Sequence, residues 1–553
     1  MPLPLMPVKK WLTNYRYYPK ILQYITLTLL WLCLSACQQS GLNRPNDVLV
    51  VAQVAEPMSL DPHVATSLND FRIIINLYEG LVRFRDGTLE PAPALARFWE
   101  VSADGRLYTF HLKRHVRFHD GTAFDAAAVK FNFERMLNDD HPYHDTGPFP
   151  LAFFFAMVEE IRVLDSHTVT FALQQPFAPF LSNLAYPTGL IVSPSAVKQY
   201  HKGFGRHPVG TGPFRFVEWS PKHRVLLQRN ADYHAKPPSL QTVVFRPLTD
   251  PMTRVAELMA GGVDMVTELS PTQVALLRND SEFTVHEQAG PHLWFLILNT
   301  REGPFRDRRL RLAVNYAIDR NALVCRVLQD TAVVAAGPVP AAFAWAYDKT
   351  LQPYPYDPER ARSLLKQAGY PDGFSVTFLV PQGGSGMLAP VQMAAAIQGD
   401  LAQVGIRARI ETYEWNSYLA KVNAGLAGQG DMAEMAWMTN DPDTLPYLAL
   451  RSEAAPDRGG FNSGYYANTA VDRLIEQART TLDQNERAAL YRELQRLVQR
   501  EVPWVVIASW KQHVVVNDRV RGFRLQPSFF LDLADTYQIP LNGSSVVLTQ
   551  ENP

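Results

Sequence analysis

Cysteine is scarce in this chain. Among 553 residues only Cys33, Cys37 and Cys325 carry a thiol, and the first two close an N-terminal apolar run. Beyond that run an intrachain disulfide is excluded, so stability has to come from burial, for which 47% apolar residues over this length suffice. A second long apolar stretch is also missing, and nothing after Cys37 reads as a membrane span. No basic run exists, and 53 Lys and Arg stand against 54 Asp and Glu, which argues against a nucleic-acid partner. Catalytic signatures are absent. Gly383-Gly384-Ser385-Gly386 lacks the last glycine of a nucleophile elbow, Gly290 stands where a zincin starting at His286-Glu287 needs its second histidine, and no glycine-rich loop ends in Lys-Ser or Lys-Thr. His111, His115 and His119 share a helical spacing but sit in a stretch that alternates like strands, so they read as exposed strand and turn residues. No enzyme, cofactor or metal site is expected.

What is present starts at the N-terminus. Lys9, Lys10, Arg16 and Lys20 form a basic leader, Ile21 to Leu34 is mostly apolar, and the small residues Ser35 and Ala36 precede Cys37. This pattern predicts an exported chain cut before Cys37 and lipidated on that thiol, with Met6 as an alternative start. Removing residues 1–36 takes away four basic side chains and no acidic one, leaving 49 against 54. Residues 37–46 then read as a lipid-anchored flexible tether, polar and carrying Gly and Pro.

The remainder alternates between strand and helix signals without repeats, which predicts α/β organisation in several lobes. Val48 to Val51, Arg224 to Gln228 and Thr242 to Phe245 read as strands, and Leu107 to His119 as a strand pair turning near Lys113-Arg114. Asp357-Pro358 predicts an N-cap and first helical turn, with Gly369 past the end; Asp483 and Glu486 predict a capping box opening a helix to about Arg500. Asp307 to Leu328 and Pro390 to Val404 also read as helices, which places Cys325 in a core. Two segments are candidates for a small-molecule site. Tyr413, Trp415 and Tyr418 flank a strand, and Met435 to Met438 run through Trp437 into the acidic, proline-broken turn Thr439-Asn440-Asp441-Pro442-Asp443. Aromatic walls supply apolar area, and carboxylates can pair with a ligand amine. On residue chemistry alone the same tryptophans could fill core and the same aspartates could cap a helix.

Five segments in order along the chain carry a resemblance: Ala55 to Pro62 with Leu77 to Val82; Leu107 to Leu112 with Val116 to Thr122; His207-Pro208-Val209-Gly210-Thr211-Gly212-Pro213-Phe214; Arg311 to Arg320; and Asn462 to Asp472. Together they resemble solute-binding family 5, the extracellular receptors of dipeptide, oligopeptide and nickel ABC importers. The resemblance implies a two-lobed periplasmic-binding-protein fold with two crossing hinge strands, here Leu293 to Asn299 and Trp504 to Trp510, and an extra subdomain in the first lobe. It divides the chain into lobe one (47–75, 205–292 and 511–553), an extra subdomain (76–204) and lobe two (293–510), with the 208–214 turn as a close-packed path between lobes. It implies a periplasmic monomer, lipid-anchored to the inner or outer membrane, that binds a solute between lobes and delivers it to a permease and its ATPases. An envelope peptidase or a chaperone is the alternative class.

By the same resemblance Ser67, Asn69 and Asp70 face the cleft, although each also suits a helix N-terminus. Trp415, Trp437, Asn440, Asp441, Asp443 and Tyr413 complete the expected ligand contacts. Two departures bear on the ligand. The aspartate that peptide binders of the family place ahead of the acidic turn is missing, and the loop Pro381 to Gly386 lacks the arginine that dipeptide binders use for the carboxylate. Short peptides held by backbone contacts, modified peptides, and metal chelates or other small solutes all remain candidates.

Overall fold

The computed structural model describes residues 45–540 except Ser385. Cys37, the leader and most of the tether therefore lie outside the described residues. No helix among those described is long and apolar enough to cross a membrane.

Apolar strands buried on both faces build the centre. In Val48–Gln53, Leu49 and Val51 enter one core while Val50 and Ala52 enter another, the alternation expected of a parallel strand covered by helices on each side. It lies parallel to Thr242–Pro247 and to Met265–Thr267, and antiparallel hairpins extend the sheet through Arg224–Arg229 to Phe214–Ser220. A second mixed sheet pairs Ile406–Tyr413, Phe374–Pro381 and Met432–Met438 in parallel and adds His292–Leu298 antiparallel. One long strand, Trp504–Asn517, belongs to both: its first half pairs with His292–Leu298, and its second half with Phe283–Ala289 and Met265–Thr267. The two crossings read from sequence are thus neighbouring strands. A separate antiparallel sheet orders Ala96–Val101, Leu107–Leu112, Thr168–Leu173 and Val158–Asp165 around an aromatic core of Phe110, Phe133, Phe155, Phe171 and Phe180.

Helix ends follow the local signals. Asp357 Oδ1 accepts from the Arg360 amide at 2.8 Å, and Asp483 accepts from Asn485 and Glu486 at the head of Gln484–Glu501. Three local readings are corrected. Only Leu107–Leu112 of the expected strand pair is a strand, because the backbone beyond turns through His115 (φ 64°) and His119 bonds to Gly210 instead. The helix expected over 307–328 stops at Ala317, where the Arg320 guanidinium takes the Asn315 carbonyl (2.9 Å) and side chain (2.7 Å) and reaches the Val506 carbonyl of the long strand (2.7 Å). The chain then makes a π turn over Leu323–Val327, which rotates Cys325 out to solvent rather than into core.

The 208–214 turn also differs from expectation. It packs on the end of the helix Leu68–Leu77, not between the two large sheets. Gly212 N–H donates to Leu77 O at 3.0 Å, and a Cβ on Gly210 would collide with that same carbonyl and with the Tyr78 ring. His119 clamps the turn from the other side: Nδ1 accepts from Gly210 N–H (3.3 Å), which leaves the Nε2 proton for Gly212 O (3.0 Å). His119 is thus a half-buried structural group, not an exposed turn residue. Gly210→Ala is expected to cost about 1–3 kcal/mol through overpacking. A lowered urea midpoint would show it, and an unchanged midpoint would show that the turn yields.

Candidate functional site

A cleft of about 720 Å³ lies between the two large sheets, a size suited to a small organic ligand. The first sheet contributes Ser67 and Asn69 at the start of Leu68–Leu77, Glu268 just after Met265–Thr267, and Phe529. The second contributes Gly384 and Gly386, Trp415 at the head of Trp415–Asn423, and Met435 to Met438 at the end of their strand. His292 and Trp510 close the floor where the shared strand passes between the sheets.

The walls are mostly aromatic. Trp437 meets Phe461 edge-on with ring centroids 5.6 Å apart, and Trp415 stacks on Tyr418 at 6.0 Å. On the floor Trp510 sits edge-on to both His292 (5.8 Å) and Phe529 (5.4 Å). Such offset and edge contacts suit the ring quadrupoles and hold the rings before any ligand arrives. Gly384 lies against the Trp415 ring, where a Cβ would overlap its carbons. His292 fixes the neighbouring loop. Its Nδ1 accepts from Trp510 N–H at 3.1 Å, so the Nε2 proton goes to Gly386 O at 3.0 Å. Burial pulls its pKa to about 4, so it stands neutral in the floor.

Ser67, Asn69, Trp415 and Trp437 therefore come together in one cleft. Ser67 also caps its helix, Oγ accepting from Asn69 N–H at 3.2 Å. Other expected contacts lie elsewhere. Asp70 is buried and accepts from Met58 N–H (2.8 Å), with burial lifting its carboxyl to about 6. Tyr413 faces away and donates to Glu411 at 2.6 Å. Asn440, Asp441 and Asp443 are buried behind the cleft in a polar knot. Asp441 binds Arg487 (2.5 Å) and accepts from Ser182 Oγ (2.9 Å), Asp443 binds Arg479 (2.9 Å), and Asn440 donates to Asn183 (2.7 Å). Their polar atoms are directed to the protein, while Asp441 also borders a smaller cavity of about 360 Å³ with Trp345 and Tyr108.

Sequence reasoning missed Glu268, His292, Phe461, Trp510 and Phe529 as cleft residues. His292 and Trp510 stand at the edges of the strands read as crossings, and Gly290-Pro291 beside them was the available signal. Glu268 had none, because its position depends on a local φ of 54°.

Comparison with known proteins agrees with this geometry. Residues 90–457 match the family described as bacterial extracellular solute-binding proteins, family 5. Di/tripeptide-binding protein 2 of Pseudomonas aeruginosa is 33% identical over 90% of this chain and 96% of its own length. Heme-binding protein A of Haemophilus influenzae is 30% identical over 92% and 97%. Among solved structures, the ABC transporter-associated periplasmic binding protein DppA from Helicobacter pylori, in complex with the peptide STSA, superposes with a TM-score of 0.74 at 32% identity. That match covers 89% of this chain and 98% of the other. With its two mixed sheets joined into a bilobed periplasmic-binding-protein fold, the chain belongs to the bacterial extracellular solute-binding proteins of family 5.

Proposed function

We propose that this chain captures a short peptide or peptide-like solute in the interlobe cleft and delivers it to the permease of an ABC importer. Family members are solute-binding transport proteins rather than enzymes and work outside the cytoplasm, and this chain is one of them. The carrying observation is the cleft of about 720 Å³, walled by rings from both lobes and by methionines of the second, and floored by the crossing strands. A relative that binds di- and tripeptides and a structural relative holding the peptide STSA support the same ligand class. We divide the chain into lobe one (47–75, 205–292, 511–553), the extra subdomain (76–204) and lobe two (293–510), with lipid on Cys37 as the anchor. A ligand that touches Trp415 and Trp437 on one side and Ser67 and Asn69 on the other gains contacts only when the lobes are together, and this difference drives closure.

Native mass spectrometry of the soluble form, beginning after Cys37 and purified without refolding, tests this. Bound masses that fit short peptides are expected; a metal-chelate mass, or an empty cleft that rejects a peptide library, would overturn the reading. Trp437→Ala should weaken binding by about tenfold or more, as loss of a central aromatic anchor does. Fluorescence titration would measure this, and unchanged affinity would place the ligand elsewhere.

A further inference from the structure

We infer that Glu268 selects for a cationic group on the solute, and that the solute needs no free carboxylate at its other end. This inference rests on the peptide-receptor reading of the same cleft. Among the described residues lining the cleft, Glu268 is the only carboxylate, and no lysine or arginine lines it. His292 is neutral, with both ring nitrogens already used. The one formally charged side chain lining the cleft is therefore a carboxylate, and its charge is shared with Arg72 behind it.

Glu268 is held in place from behind. Arg72, fully buried, meets its Oε1 at 2.6 Å while also donating to Thr267 Oγ1 (3.2 Å) and Asn69 Oδ1 (3.4 Å). Arg254, also buried, donates to the Glu268 carbonyl at 3.0 Å. The backbone adopts φ 54°, uncommon for a residue with a side chain and a recurrent feature of ligand sites. Arg72 reaches the carboxylate from the protein side, and the side chain keeps 26% exposure. An ammonium in the cleft could approach that open side and form a charge-assisted hydrogen bond in a partly dry site. A zwitterionic dipeptide would bring a carboxylate to a cleft with no cation to receive it. Peptide amides, longer peptides whose C-terminus reaches solvent, and amine-bearing aromatic solutes avoid that cost.

The test uses Phe-Leu-Phe-amide, its free acid, and 3-phenylpropanoyl-Leu-Phe-amide, which lacks only the amine, titrated calorimetrically into the intact soluble chain. Wild type should bind the amine-bearing amide about tenfold or more tighter than the des-amino analogue, and no less tightly than the free acid. Glu268→Gln should erase the amine preference, with circular dichroism reporting separately that the variant is folded. The wild-type comparison stands even if that variant is unstable. Equal binding of the amide and the des-amino analogue by wild type, a preference that survives Glu268→Gln, or a free acid that binds better than its amide would each overturn the inference. Where Trp437→Ala weakens every probe yet Glu268→Gln alters none, the cleft reading stands and this inference alone fails. If wild type binds no probe, the peptide reading fails and takes this inference with it.

Discussion

Asp441→Ala should destabilise the folded chain by about 3–5 kcal/mol, the usual cost of leaving one member of a buried ion pair without its partner. The Asp441 and Arg487 side chains are only 1% and 7% exposed. The carboxylate is committed on both oxygens: Oδ1 takes Arg487 Nη2 and the Asp443 amide (2.9 Å), and Oδ2 takes Ser182 Oγ. The guanidinium lies over the Trp345 and Tyr491 rings, 5.3 Å from each centroid, which cannot replace an anion. Removing the carboxylate leaves the buried guanidinium with only the Ala478 carbonyl and the Tyr491 hydroxyl as hydrogen-bond partners, and releases a contact between the strand-end turn and the helix Phe180–Leu184. Urea unfolding of wild type, Asp441→Ala and the double variant Asp441→Ala/Arg487→Met would measure it. The double variant should regain more than half of the loss, because an apolar pair no longer requires solvation. A single variant that loses less than about 1 kcal/mol would mean water reaches the pair.

Stability should also fall, by a few kcal/mol, as pH drops from about 6.5 to 4. Burial depresses His63, His119 and His292 to about 4 in the folded chain, against an unfolded value near 6.5. A depressed histidine contributes its full stability above the unfolded value. That contribution erodes as pH falls through the window, because the unfolded chain binds protons that the folded chain refuses. Asp70 and Asp443 act in the opposite direction: burial raises both to about 6, so folding gains as they protonate between 6 and 4. His513 is likewise depressed to about 4, while burial also raises Glu434, Asp400 and Asp532; at about 1.4 kcal/mol per unit per group, the four histidines, each shifted over the whole window, set the net direction. Urea midpoints at pH 7 and 4.5 should differ accordingly, and His292→Asn should flatten the slope. A midpoint that holds or rises on acidification would show that the aspartates dominate.

Much of this fold is legible in the chain because its signals are local. The both-sides-apolar Val48–Gln53, the Asp357-Pro358 and Asp483 caps and the crossing strands each depend on a few neighbouring residues. The failures share a different cause. Asp441 looks like a ligand carboxylate until Arg487, 46 residues away, is folded against it. The helix after Arg308 looks continuous until Arg320 finds Asn315 and Val506. Trp415 and Trp437 could be placed because large rings beside a strand end have few other uses, whereas Glu268 owes its place in the cleft to one backbone angle, to Arg254 and to the distant Arg72.

The strand Trp504–Asn517 carries a consequence for biogenesis. It fills the interior of the first sheet beside Met265–Thr267 and of the second beside His292–Leu298. Neither sheet can complete its hydrogen-bond ladder until residues 504–517 have been synthesised, after every other strand of both sheets, so the earlier strands wait as open edges. An exported chain must pass the membrane before it is compact. Placing the shared strand after every other strand of the two sheets delays their cooperative closure, at the cost of slow, long-range pairing.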